Sequence, residues 1–178
     1  AYLGQYHPNG LTLPMRVIDV VRMSRFDQRS RWRRRSSHDD ACVDAALEAM
    51  AIADLAGRAL RDLSGGQRQR VRLAQLLARR ARFLLLDEPS TGIDAPGRSA
   101  YMEAIAHERA RGAAVVIATH DLSEAASCDR IMLLAGRVVA DGHPSDVLTP
   151  DNLLDTFGIG LARVGDRLIV TEHLHDHH

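Results

Sequence analysis

The apolar run Phe83-Leu84-Leu85-Leu86 ends in two adjacent carboxylates, Asp87 and Glu88, followed by Pro89. A carboxylate at the tip of a buried strand can hold Mg2+ through water against phosphate oxygens. A second carboxylate beside it can orient and polarise an attacking water. A plain acidic turn would also explain the pair, but the apolar run before it and Pro-Ser-Thr-Gly-Ile-Asp at 89–94 favour chemistry. Upstream, Ser64-Gly65-Gly66-Gln67 stands where a helical pattern begins. Exposed N–H groups, a hydroxyl and glycines that permit close approach make such a start an anion site. The simpler alternative, a serine cap with a flexible glycine pair, is disfavoured by the flanking Leu63 and Arg68-Gln69-Arg70-Val71. His120 comes just after the apolar run Val115-Val116-Ile117-Ala118. A lone histidine is more often structural, yet the end of the strand that follows the Asp87-Glu88 strand is expected to border the same crevice.

The elements that must position these groups follow from periodicity. Pro14 suits a first helical turn, and Val17, Val20 and Val21 recur at helical spacing to Met23. Asp39 and Asp40 are expected to cap a second helix, with Val43, Ala46, Leu47 and Met50 on one stripe. A third helix should run from Ser64 to about Ala81, with Val71, Ala74 and Leu77 inward. The continuous apolar runs Phe83–Leu86 and Ala113–Ala118 predict strands buried on both faces. Asp94 and Pro96 should start a helix that ends near Arg111-Gly112, and Leu122–Ser127 a short one. Arg130–Leu134 and Arg137–Ala140 flank Ala-Gly and predict a hairpin. Thr149-Pro150 caps a last helix that Gly158 stops. Strands alternating with helices of this length imply an α/β fold around a parallel sheet.

Composition sets the outer bounds. The 178 residues amount to one ordinary domain, 46% hydrophobic with a formal net charge of zero, which argues against a dedicated nucleic-acid binder. No apolar run approaches the length of a membrane span. Cys42 and Cys128, the two cysteines, have no metal-ligand spacing, so a reduced, cytosolic setting is the default. The chain holds no lysine; all 23 basic residues are arginine, so a Gly-x-x-x-x-Gly-Lys phosphate loop cannot lie within it.

Leu63-Ser-Gly-Gly-Gln-Arg-Gln-Arg70, followed by Phe83-Leu-Leu-Leu-Asp-Glu-Pro89, resembles the paired motifs of the ATP-binding-cassette (ABC) ATPases. The resemblance implies an α/β P-loop NTPase fold, a parallel sheet with an α-helical subdomain, and ATP with Mg2+ as cofactors. Ser64, Gly65, Gly66 and Gln67 then match the signature motif, which meets the γ-phosphate of nucleotide held by the opposite subunit. Asp87 matches the Mg2+ carboxylate, Glu88 the catalytic carboxylate, and His120 the switch histidine. Gln5, in Tyr2-Leu-Gly-Gln5, resembles the glutamine loop that senses Mg2+ and the transporter subunit. Asp94, in Ser90-Thr-Gly-Ile-Asp94, matches the loop that crosses the dimer interface and can cap the next helix as well. On this pattern 1–10 is the glutamine-loop end of a truncated ATP-binding core, 11–62 is the helical subdomain, 63–158 holds the signature motif and remaining ATP-binding core, and 159–178 is a His-rich tail. The phosphate loop and the adenine-stacking aromatic of the family are not among these residues. The chain is therefore expected to be the C-terminal portion of a longer ATPase and not to bind ATP productively by itself.

The stretches Val20–Asp39, Ser90–Ala95, Leu134–Gly142 and Leu148–Gly158 are similar to ATPases of manganese/zinc-type metal importers, with iron-chelate importers close behind. Gln75 departs from the arginine common at its position. The partners implied are a second ATPase subunit, transmembrane permease subunits and, indirectly, an extracytoplasmic solute-binding protein, with the chain at the cytoplasmic face of the membrane. Two other readings stay open: a soluble ABC ATPase without a transporter, and a degenerate, non-hydrolysing regulatory module. Intact Glu88 and His120 count against the second. Arg29–Arg35 is expected to be a solvated loop, and the interrupted histidines of 173–178 a solvated end.

Overall fold

The computed structural model of the protein describes residues 1–4, 14–26 and 36–158, and the backbone of 159–164 and 167–172. Two units emerge, Ala1–Ala118 and Thr119–His178.

In the first unit, β1 (Tyr2–Leu3) is followed by α1 (Val17–Met23), α2 (Ser37–Ala49), α3 (Gly65–Ala78), β2 (Phe83–Asp87), α4 (Ala95–Ala110) and β3 (Ala114–Ala118). The three strands form a parallel sheet in the order β1-β2-β3, so the expected α/β organisation holds. Its register sets Tyr2 against Leu85 and Leu85 against Val116, and places Asp87 opposite Ala118. Leu3, Leu84 and Leu86 point into a core built with Val17 and Val21 of α1, Val43 and Leu47 of α2, Val71, Leu73 and Ala74 of α3, and Tyr101 and Ile105 of α4. The helices expected between 11 and 62 thus share one apolar cluster with the sheet.

Four local expectations are corrected. Helix α1 starts at Val17, three residues after Pro14, because Met15 and Arg16 pair instead with the chain at 59–60: Arg16 bridges Ala59, and Leu60 N–H donates to the Met15 carbonyl at 2.9 Å. Ser36, and not Asp39 or Asp40, caps α2. Its hydroxyl accepts from Asp39 N–H while the Asp39 carboxylate accepts from Ser36 N–H, a reciprocal box that needs the hydroxyl first and the acid three residues later. Helix α3 stops at Ala78 because Arg80 turns left-handed, φ 52°. The fourth concerns β2 and β3, which are not buried on both faces. Phe83 is 51% exposed and Val116 52%, since helices of the first unit cover only the opposite face.

In the second unit, α5 (Leu122–Ala126) precedes the antiparallel hairpin of β4 (Ile131–Leu134) and β5 (Val138–Gly142). Gly136 turns it at φ 67°, and Arg130 grips Asp141 through two hydrogen bonds across the strands. Next come α6 (Pro144–Val147) and α7 (Pro150–Phe157), capped by Thr149 and stopped by left-handed Gly158 as expected. Ile131, Leu133, Val147 and Leu153 make a separate small core. The segment expected as a tail from 159 contains a hairpin, β6 (Ile159–Val164) with β7 (Arg167–Glu172). The apolar-rich runs Ile159–Val164 and Leu168-Ile169-Val170 on either side of Gly165-Asp166 are the hairpin signal the His-rich reading passed over. His173–His178 and Arg29–Arg35 lie outside the described residues.

Candidate functional site

The Asp87-Glu88 pair sits where β2 ends, both side chains half-buried. Glu88 N–H donates to the Ala118 carbonyl of β3 at 2.9 Å, which carries the sheet ladder one residue past the strand. The backbone then turns sharply: Glu88 has φ 46°, a left-handed conformation costing a non-glycine residue about 1–2 kcal/mol. Such strain persists where the surroundings over-determine it, and it gathers at functional sites. Thr91 braces the turn, its N–H donating to the Glu88 carbonyl at 3.2 Å and its hydroxyl to the Glu88 carboxylate at 3.4 Å.

The second element is the start of α3. Ser64 Oγ accepts from Gln67 N–H at 3.2 Å, and Gln67 Oε1 accepts from Ser64 N–H at 3.0 Å. The glycines between them have different duties. A Cβ on Gly66 would stand 2.8 Å from the Gly92 carbonyl, so this glycine lets the helix start press against the loop after Glu88. A Cβ on Gly65 would meet nothing within 4 Å. Open space therefore flanks Gly65 at the helix start, the end at which an anion would meet backbone N–H groups.

Asp94 caps α4 by accepting from Gly97 N–H at 3.3 Å, and its other oxygen lies 3.7 Å from the buried Arg70 guanidinium. Arg70 also donates to the Ala51 carbonyl at 3.1 Å, tying the end of α2 to the loop that carries Asp94. Gly97 is required here, because a Cβ would come within 2.7 Å of Asp94, Ile93 and Arg70. Gln75, the family departure, donates to the Val20 carbonyl at 3.1 Å and so joins α3 to α1.

The structure thus gathers Ser64–Gln67, Asp87, Glu88 and Asp94 in one unit. His120 stands exposed in the other, two residues along the chain from Ala118. Gln5 lies outside the described residues. Sequence reasoning missed Gln69, Arg70 and Arg72 as individuals, treating the first two only as flanks of a motif. Their signal was polar residues on a helix whose neighbours Val71 and Ala74 point inward.

Asp87 and Glu88 are the described residues that could offer carboxylates to a Mg2+ ion. Among the described residues no group of three or more His, Cys, Asp or Glu could hold a metal. An ion at Asp87 would rest on one or two carboxylates and complete its shell with phosphate and water, the usual manner of Mg2+.

A family model described as ABC transporter matches residues 8–91. The class that fold and sequence point to is the ABC ATPase, and the chain is similar to members of that family. Within it, the chain is 45% identical over 158 residues to the hemin import ATP-binding protein HmuV of Nocardia farcinica, covering 86% of this chain and 52% of the relative. It is 35% identical over 161 residues to the manganese transport system ATP-binding protein MntB of Bacillus subtilis, covering 90% and 64%. Among solved structures, a metal-chelate type ABC transporter in an inward-facing conformation shares the fold with a TM-score of 0.75 at 23% identity, covering 95% of this chain and 69% of that one. The protein cbiO1 of Clostridium perfringens, part of the ABC transporter complex cbiONQ, matches with a TM-score of 0.63 at 27% identity, covering 80% and 57%. The chain spans 52% to 65% of the length of the curated relatives it matches.

Proposed function

We propose that these residues are part of the ATP-hydrolysing subunit of an ABC transporter that imports a metal ion or metal chelate. The single observation that carries the reading is the strained turn that presents Glu88 beside Asp87 at the end of a parallel strand, with the open start of α3 in the same unit. Relatives named for hemin and manganese transport support the cargo class.

In this reading Glu88 orients the attacking water, Asp87 holds Mg2+ through its hydration shell, and His120 contacts the γ-phosphate. Bound Mg2+ neutralises charge that develops on the phosphates. Ser64, Gly65, Gly66 and Gln67 receive the γ-phosphate of nucleotide held by a second subunit, and Asp94 faces that subunit across the dimer. Gln5 senses Mg2+ and a transmembrane permease. No helix among the described residues is long and apolar enough to cross a membrane, so the subunit would attach to the cytoplasmic face through the permease. An extracytoplasmic solute-binding protein would act indirectly. The 178 residues hold no lysine, so the phosphate-gripping lysine must come from outside them.

The test joins these residues to their upstream coding sequence and follows phosphate release. Mg2+-dependent ATPase activity is expected, and Glu88→Gln should lower it on the order of a hundred-fold while ATP binding survives. Near-normal turnover by Glu88→Gln would remove the carboxylate from its assigned role.

A further inference from the structure

Three hydrogen bonds run in series across the first unit, two of them half-buried and the last buried. Arg72 Nη2 donates to the Gly4 carbonyl at 2.6 Å, and Arg72 Nη1 donates to Gln69 Oε1 at 3.1 Å. Gln69 Nε2 in turn donates to the Pro89 carbonyl at 3.0 Å. One end of this series is the residue after β1, immediately before Gln5; the other is the residue immediately after Glu88. Gln69 is 2% exposed and Pro89 is fully buried, so neither group can exchange its partner for water. The two side chains stand three positions apart on α3, on one face of the helix whose N-terminus is the candidate anion site.

The chemistry at the middle position is restrictive. A primary amide accepts from the guanidinium with its oxygen and donates to a carbonyl with its nitrogen; a carboxylate can do only the first, and a thioether neither with strength. Glu88, held left-handed, depends on its flanks to keep that conformation, and the Pro89 carbonyl is one of them.

We propose that Gln69 and Arg72 are positioning residues, a polar relay that holds the turn of Glu88 and couples it to the backbone at Gly4. The coupling rests on the reading of Glu88 as the water-orienting carboxylate. A shift of the chain at Gly4 would pull Arg72, reorient the Gln69 amide and release or tighten the Pro89 carbonyl. Glu88 would be aimed only when the segment leading to Gln5 is seated. The relay thus gives α3 a second task beside that of its N-terminus.

Gln69→Glu in the full-length protein tests this with almost no change of volume. It keeps an acceptor for Arg72 and sets an oxygen against the Pro89 carbonyl. Hydrogen exchange reads the positioning without any appeal to catalysis: the amides of Glu88 and Thr91 should exchange about tenfold faster while those in the middle of α3 and α4 keep their protection. Arg72→Ala should speed the same two amides, whereas Arg72→Lys, which keeps one donor, should restore part of the protection. The kinetic arm expects kcat for ATP to fall about tenfold with the ATP dissociation constant within about twofold. In a Glu88→Gln background, Gln69→Glu should add nothing further, because the group being aimed is already gone. Unchanged exchange at Glu88 and Thr91, or an equal loss of protection throughout α3, overturns the relay. Faster exchange there without a fall in kcat leaves the packing link standing but overturns the coupling to Glu88 chemistry. A parent protein without ATPase activity would sink the functional reading, and the exchange arm would still decide the relay.

Discussion

The two faces of the β1-β2-β3 sheet have nearly the same chemistry and opposite surroundings. On one, Leu84 and Leu86 are 1% and 2% exposed beneath four helices. On the other, Tyr2, Phe83, Leu85 and Val116 are 66%, 51%, 40% and 52% exposed. Parallel sheets are ordinarily covered on both faces, so the four consecutive apolar residues Phe83–Leu86 of β2 make a two-sided strand met here with one side packed. The difference teaches that burial in this unit is decided by which helices are at hand, and that the apolar code of the strand runs ahead of them. Both carboxylates, at the end of the strand, are half-buried.

The largest effect should come from truncating one residue on each face of the 178-residue chain. Leu84→Ala is expected to cost about 2–5 kcal/mol, as cavities in packed cores do, and Leu85→Ala no more than about 0.5–1 kcal/mol. Urea unfolding of both variants measures the gap; equal costs would mean that Leu85 is covered in solution, and the contrast would collapse.

A smaller effect concerns the open face itself. An exposed apolar sheet face of this kind promotes self-association. Exchanging Phe83 for Ser together with Val116 for Thr should reduce concentration-dependent light scattering of the chain with little change in its unfolding midpoint.

The smallest effect lies in the helical layer that covers the packed face. Asp39 accepts from two Arg25 nitrogens at 2.9 and 2.7 Å, and Arg25 reaches on to the Ala78 carbonyl, linking the loop after α1 to α2 and the end of α3. The Arg25 guanidinium first, and the Ser36 hydroxyl second, hold the Asp39 carboxyl down from 3.8 to about 2. A carboxyl depressed in the folded state contributes stability that is full above its unfolded value and is lost as pH falls through its folded one. The stability advantage of the parent over Asp39→Asn should therefore be constant above roughly pH 5 and close as pH drops toward 2. A gap that persists unchanged at pH 2 would assign it to packing and not to charge.

How much was legible beforehand can be judged from single residues. Thr149, Pro150 and Gly158 marked α7 because capping and left-handed termination are local rules read over a few positions. Asp94 was legible as a cap for the same reason, and Asp87 and Glu88 as the end of an apolar strand. The exposed half of β2 was not, because a sequence records a strand's apolarity and not the presence of its neighbours. Nor was the hairpin of β6 and β7, masked by the histidines that follow it.

The sequence by itself carried the family resemblance, the candidate carboxylates and the helix start offered as an anion site, because each depends on residue types in short, ordered spacings. Only the tertiary structure decided that Glu88 is left-handed, that Gly66 serves packing while Gly65 leaves an approach open, and that Gln69 and Arg72 join Gly4 to Pro89. Those facts depend on residues distant along the chain meeting within hydrogen-bond reach, between 2.6 and 3.1 Å in the relay. Such meetings arise from how α3 packs against the sheet, and no pattern along α3 alone specifies its partners.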